Sequence, residues 1–157
     1  MKKLTKLELE ANQKTLEHID RVRELLRICE NILRDRGISH DKTKLDSPEV
    51  ELFAKYTSKL ADVTYGSDEY NEFLKELKPA LEHHYANNRH HPEKHREGVN
   101  DMTLIDVLEM LCDWKASSEQ HSDGNILKSI EHNTKRFGLD SQLTKILLNT
   151  VDMFEWS

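Results

Sequence analysis

Residues 103–114 read TLIDVLEMLCDW. On a helix, Leu104, Ile105, Val107, Leu108, Met110, Leu111, Cys112 and Trp114 point nearly all the way round, the pattern of a helix with neighbours on most sides. Thr103, with Asp106 three residues on, makes the capping-box pattern that starts this helix, and it runs to about Ser118. Its polar interruptions, Asp106, Glu109 and Asp113, are spaced by three and four and fall on one stripe. Two readings stay open. The stripe is the one solvated edge, with Asp106 completing the cap, or its acids face cations, donors or a water-filled cleft, because an unpaired buried carboxylate costs several kcal/mol.

Working outward from that helix, the same period recurs. Ile19, Val22, Leu26, Cys29 and Leu33 predict a long amphipathic helix over about Thr5–Arg36, ending at Gly37. Ser47-Pro48 reads as an N-cap followed by proline at the first helical position, opening a second helix through Leu52, Phe53, Tyr56 and Leu60. A turn at Tyr65-Gly66-Ser67 leads to a third, with Tyr70, Phe73, Leu74, Leu77 and Leu81, which Pro79 is expected to kink or restart. The polar stretch NNRHHPEKHREGVND reads as a loop. Two helices follow the fourth, over about Asn125–Phe137 with Gly138 after its end, and Ser141–Phe154. Nothing alternates with period two, and no repeat or linker divides the chain. The expectation is an all-α fold of about six helices in one domain, 1–157.

Composition narrows the function classes. The 157 residues carry a formal charge of −6, with 33% charged and 36% hydrophobic residues, so a basic surface tracking a phosphate backbone is missing and broad nucleic-acid binding is disfavoured. No apolar run approaches the roughly 20 residues a membrane span needs, and MKKLTK leads into LELEANQ instead of an apolar signal core. Cys29 and Cys112 read as small buried thiols in a reducing compartment. A soluble, cytoplasmic protein is expected.

Histidine is the residue that stands out. Five of the nine, His83, His84, His90, His91 and His95, fall within 13 residues. His18 shares a helix face with Val22, Leu25 and Cys29, either as a buried histidine satisfied by a carbonyl or as a ligand. His40-Asp41 pairs an imidazole with a carboxylate; consecutive residues bind one divalent ion only where the backbone turns to aim both inward, and otherwise Asp41 is a local cap and Lys44 a surface charge. On the third helix His84 continues the face of Leu77 and Leu81, while His83 lies about 100° away. His90 and His91 either line a site or are solvated.

The order His, His-Asp, His-His, Asp resembles the HD superfamily of all-α metal-dependent phosphohydrolases. His18 looks like that family's first-helix histidine, His40-Asp41 like its paired ligands, and Asp113 in LCDWKA like its late aspartate. HDKTK matches the H-D-x-x-K form, whose lysine contacts substrate phosphate, which implies that role for Lys44. His83-His84 is similar to the downstream histidine pair of the cyclic-dinucleotide phosphodiesterase branch. Almost the whole chain, through HDKTKLDSPE, TYGSDEYNEFLKELKPALEHHYANNRHHPE, DMTLIDVLEMLCDWKA and LKSIEHNTKRFG, also resembles an uncharacterised family frequent in phages and bacteria and named only as a domain of unknown function.

These readings lead to a metal-dependent hydrolase of a nucleotide or other small phosphate ester. His18, His40, Asp41 and Asp113 would hold one divalent ion (Mn, Zn, Mg, Fe or Ni), with His84 as a further ligand or substrate contact and His83, Asp106 and Glu109 as lesser candidates. Lys44 would balance charge on the phosphoryl oxygens, and His90 or His91 would protonate the leaving group. Two other classes compete: a His/carboxylate site holding iron for oxidation, and a non-enzymatic protein that binds a nucleotide or a host protein.

Overall fold

The computed structural model describes residues 4–62, 68–120 and 124–156. Among them are six α-helices and no strand, so the protein is all-α: α1 (Lys6–Ser39), α2 (Glu49–Asp62), α3 (Asp68–Asn87), α4 (Leu104–Glu119), α5 (Ile126–Phe137) and α6 (Ser141–Met153). Short 3-10 turns at Lys42–Leu45, Pro92–Lys94 and Gly98–Asp101 carry the connections on either side of α2 and α3. The chain falls into two compact units, Met1–Ile38 and Ser39–Ser157. The expected turn at Tyr65-Gly66-Ser67 lies outside the described residues, as do the side chains of Leu60 and Tyr70.

The first unit is α1. A capping box opens it: the Thr5 amide donates to Glu8 Oε2 at 2.7 Å and the Glu8 amide to Thr5 Oγ1 at 3.3 Å. Pairs such as Arg21–Glu24 (2.8 Å) and Arg23–Asp20 (2.9 Å) line its surface. Two expectations are corrected here. The helix passes through Gly37 and ends at Ser39, because glycine inside a helix costs only about 1 kcal/mol against alanine. Within this unit no residue of α1 is buried, so the stripe of His18, Val22, Leu25 and Cys29 has no core of its own, and the Cys29 thiol is exposed there.

The second unit has two apolar clusters. Tyr56 of α2 packs with Leu77 and Ala80 of α3, flanked by Leu52, Phe53, Phe73 and Leu81. Met110, Leu111 and Trp114 of α4 pack with Ile126 and Ile130 of α5 and Leu147 and Val151 of α6, and the Trp114 and Phe137 rings stack with centroids 6.3 Å apart. The expected capping box forms at α4: the Thr103 hydroxyl receives the Asp106 amide while Asp106 Oδ2 receives the Thr103 amide at 3.0 Å. Helix α5 stops where expected, at Gly138, whose φ of 62° is left-handed and open to glycine without strain.

Burial of α4 is narrower than its sequence suggests. Asp106, Met110, Leu111 and Trp114 are buried, while Leu104 is 85% exposed and the Cys112 thiol is exposed, which corrects its reading as a buried thiol. The helix is covered by α5 and α6 on one face only, and its acidic stripe looks elsewhere. Proline at position 79 neither restarts nor ends α3, which runs unbroken to Asn87. Helix α2 begins at Glu49, one residue after Pro48, with the Asp46 carbonyl receiving the Glu49 and Val50 amides.

Candidate metal centre

The two residues after α1 make the turn that a paired His-Asp site requires. Asp41 has φ 54° and ψ 15°, a left-handed conformation uncommon for any residue but glycine and easiest for Asn and Asp. It throws the chain from the helix axis into the 3-10 turn 42–45, where the Lys44 amide bonds back to the Asp41 carbonyl at 2.9 Å. Imidazole and carboxylate of adjacent residues thereby face one space.

Three other stretches converge on it. From the last turn of α3 comes His84, with Nε2 at 3.3 Å from Asp41 Oδ1. From the segment after α3 come His90, with Nε2 at 3.4 Å from the same oxygen, and His91, with Nε2 at 2.8 Å from His84 Nε2. From α4 come Glu109 and Asp113. His40 Nε2 lies 3.6 Å from Asp41 Oδ2 and 3.7 Å from Asp113 Oδ1. Two groups of ligand-type atoms result, Asp41/His84/His90/His91 and His40/Asp41/Asp113, with every atom of a group within 4.8 Å of the others. A third, His40/His90/Glu109, joins them.

The far ring nitrogens are held by carboxylates. His84 Nδ1–H donates to Glu49 Oε2 at 2.9 Å, His83 Nδ1–H to Glu49 Oε1 at 2.7 Å, and His40 Nδ1–H to Glu109 Oε1 at 2.9 Å; His90 Nδ1 lies 3.2 Å from that same oxygen. A neutral imidazole that donates from Nδ1 carries its lone pair on Nε2. Asn88 donates to Thr43 Oγ1 and to the His84 carbonyl, both at 2.8 Å, which ties the end of α3 to the 42–45 turn. Arg89 forks onto Asp106 at 3.0 and 2.8 Å, fixing the His90-His91 segment to α4.

Electrostatics follow from four carboxylates around these rings. Hydrogen bonding to Asp113 and Glu109, helped by the Asp41 charge, outweighs burial and raises His40 to about 10. Burial, with the neighbouring His90 and His84, drives His91 down to about 3, so its ring is neutral at physiological pH. Burial also lowers His84. For Asp41 burial pushes upward but the Lys44 ammonium, 2.7 Å from Oδ2, more than offsets it and the carboxyl stays ionised. Asp113 is likewise held down, against its burial, by His40.

A cation fits this donor set. Asp41 Oδ1 and His90 Nε2 are buried and hydrogen-bond to none of the described residues, a costly state for polar atoms unless something else meets them. A divalent ion about 2.0–2.2 Å from each ligand sets neighbouring ligand atoms about 2.8–3.6 Å apart. Asp41 Oδ1 lies 3.3 Å from His84 Nε2 and 3.4 Å from His90 Nε2, and His84 Nε2 lies 2.8 Å from His91 Nε2, within that range.

Of the residues singled out from sequence, the fold gathers His40, Asp41, His84, His90, His91, Glu109 and Asp113, with Lys44 at the edge. His83 touches the centre through Glu49 alone. Asp106 is committed to the helix cap and Arg89 and belongs to none of the three groups, and His18, exposed on α1, belongs to none either. Glu49, Thr43 and Asn88 escaped the sequence reading. Glu49 follows Ser47-Pro48 and reads as an ordinary acid in a first helical turn; its partners lie 34 and 35 residues away.

No curated protein matches this chain, and no solved structure matches it. The model of DUF5662, a family of unknown function, matches residues 7–153, and the chain belongs to that family.

Proposed function

We propose that the protein is a metal-dependent phosphohydrolase acting on a nucleotide or another small phosphate ester. The observation that carries the metal part is the pair of buried atoms, Asp41 Oδ1 and His90 Nε2, left without a hydrogen bond where the His84 and His91 Nε2 atoms also converge. Asp41, His84, His90 and His91 would hold the ion, and His40 stands beside it, with Nε2 3.6 Å from Asp41 Oδ2 and 3.7 Å from Asp113 Oδ1. When bound, a divalent ion polarises a phosphoryl oxygen and lowers the pKa of water toward neutrality. This arrangement favours His90 and His91 as ligands over their alternative role as proton donors, since the neutral His91 ring offers a lone pair and lacks the imidazolium proton a general acid gives up.

Lys44 supports the phosphate part. Its ammonium bonds Asp41 Oδ2, lies 5.7 Å from the Phe53 ring centroid and remains partly open to solvent. A phosphate ester reaching the centre meets a fixed positive charge there, which balances the charge that grows on the phosphoryl oxygens. The free thiols Cys29 and Cys112 fit a reducing compartment such as the cytoplasm.

Elemental analysis of protein purified without a histidine tag, followed by a nucleotide and phosphate-ester screen with the metal found, tests this reading. Asp41→Asn keeps a residue that tolerates the left-handed turn but removes the charge, so it should lose most of the metal and remain folded. Lys44→Ala should keep the metal and lose roughly 10²-fold in turnover. Unchanged hydrolysis in Lys44→Ala would remove Lys44 from the mechanism. Wild-type protein that holds metal but hydrolyses no phosphate ester would leave a metal site without the phosphate assignment, and iron with oxidising activity would replace it with the oxidative reading.

A further inference from the structure

We propose that Glu49 is a positioning residue of the metal centre, a buried carboxylate that holds His84 in the Nδ1–H tautomer and so keeps the Nε2 lone pair on the cluster. The inference rests on the metal reading above and deepens it.

Glu49 is fully buried at the start of α2. Both its oxygens are engaged by imidazoles, Oε1 by His83 Nδ1 at 2.7 Å and Oε2 by His84 Nδ1 at 2.9 Å. A carboxylate enclosed in this way is a poor stabilising device, since removing an ion from water is expensive and an apolar or neutral residue of similar size does as well or better. It is well suited to another task. Asn88 Nδ2 also lies 3.0 Å from His84 Nδ1, but its two hydrogens go to Thr43 Oγ1 and the His84 carbonyl at 2.8 Å. An ionised carboxylate only accepts hydrogen bonds, so in the neutral ring the nitrogen facing Glu49 carries the proton and the opposite nitrogen, 3.3 Å from Asp41 Oδ1 and 2.8 Å from His91 Nε2, carries the lone pair. The negative charge also makes that lone pair a stronger donor to a cation. His83 steadies the other oxygen from the partly exposed side of α3, which explains a histidine pair of which only His84 reaches the centre. The Phe53 ring, edge-on to His84 with centroids 6.3 Å apart, limits how far the imidazole can rotate away.

Glu49→Gln separates this role from a structural one, because glutamine keeps the size but can donate from its amide and so admits the opposite tautomer of His84. Three readouts on wild type and variant decide it: Zn2+ and Co2+ affinity by chelator competition, the His84 tautomer in metal-free protein by long-range 15N–1H NMR, and the melting temperature without metal. The proposal expects Zn2+ binding about 10–100-fold weaker in the variant, a shift of the His84 proton toward Nε2, and a metal-free melting temperature no lower than wild type. Glu49→Asp, which withdraws the carboxylate but preserves acceptor-only chemistry, should retain the wild-type tautomer and carries the comparison where Glu49→Gln does not fold. Wild-type affinity in Glu49→Gln, or weaker binding matched by an equal loss of metal-free stability with the tautomer unchanged, overturns the proposal while leaving the metal site standing. Wild-type protein that binds neither Zn2+ nor Co2+ removes the metal reading itself.

Discussion

His40 stands between three carboxylates, and without a metal it balances them by holding a proton. Its pKa is raised from 6.5 to about 10 by Asp113 first and then Glu109. The folded protein therefore binds this proton to higher pH than the unfolded chain does, and the resulting stabilisation is complete below about pH 6.5 and is lost as pH rises toward 10. Urea unfolding of metal-free wild type and His40→Gln at pH 6.5 and 9.5 measures it. Wild type should lose more stability over that interval than the variant; parallel losses would mean His40 holds no extra proton. Asp41 contributes at the same scale through its backbone, since its left-handed φ allows neighbours on the chain to face one cluster. The His40-Asp41 pair was legible as a ligand candidate because the two residue types adjoin, but the turn that aims them was not, as aspartate adopts the left-handed region only in a minority of its occurrences.

Among the elements, the segment between α3 and α4 depends most on a single clamp. It carries His90 and His91 and has only short 3-10 turns of its own. Arg89 immediately precedes the histidines and forks onto Asp106, which is fully buried and already caps α4 through Thr103. Arg89→Ala should cost about 1–3 kcal/mol, because a buried carboxylate loses two charge-assisted bonds while its cap bonds survive. Denaturant titration checks the stability. Chelator competition should also show weaker metal binding than in wild type, since the two histidines lose their anchor; intact affinity would mean the segment's other ties, such as the 2.7 Å pair of Glu93 with Arg136, suffice to hold them. From sequence, Asp106 was readable as a cap, from the three-residue spacing to Thr103. Its second partner, 17 residues upstream, was not.

At the scale of the whole molecule, the proposed metal would link stability to occupancy. A ligand that binds the folded state alone stabilises it by about 2.7 kcal/mol at one hundred times its Kd. Stripping with a chelator should lower the melting temperature of wild type and leave Asp41→Asn unmoved; differential scanning calorimetry with and without chelator reads both. Among the described residues no helix is long and apolar enough to cross a membrane.

The sequence by itself determined the class of this protein. Helix periodicity, the capping box at Thr103 and the stop at Gly138 are interactions within about four residues, so they are written in consecutive positions and all three appear in the structure. It also supplied the stock of histidines and acids. Which of them meet was decided only by tertiary packing. His84 reaches Asp41 across 43 positions, Glu109 reaches His40 across 69, and Glu49 is buried against imidazoles 34 and 35 residues on. None of these pairings has a local signature. Each exists because α2 packs on α3 and the Arg89 clamp draws the following segment to α4, which turns polar side chains at helix ends and in a loop into one partly buried cluster.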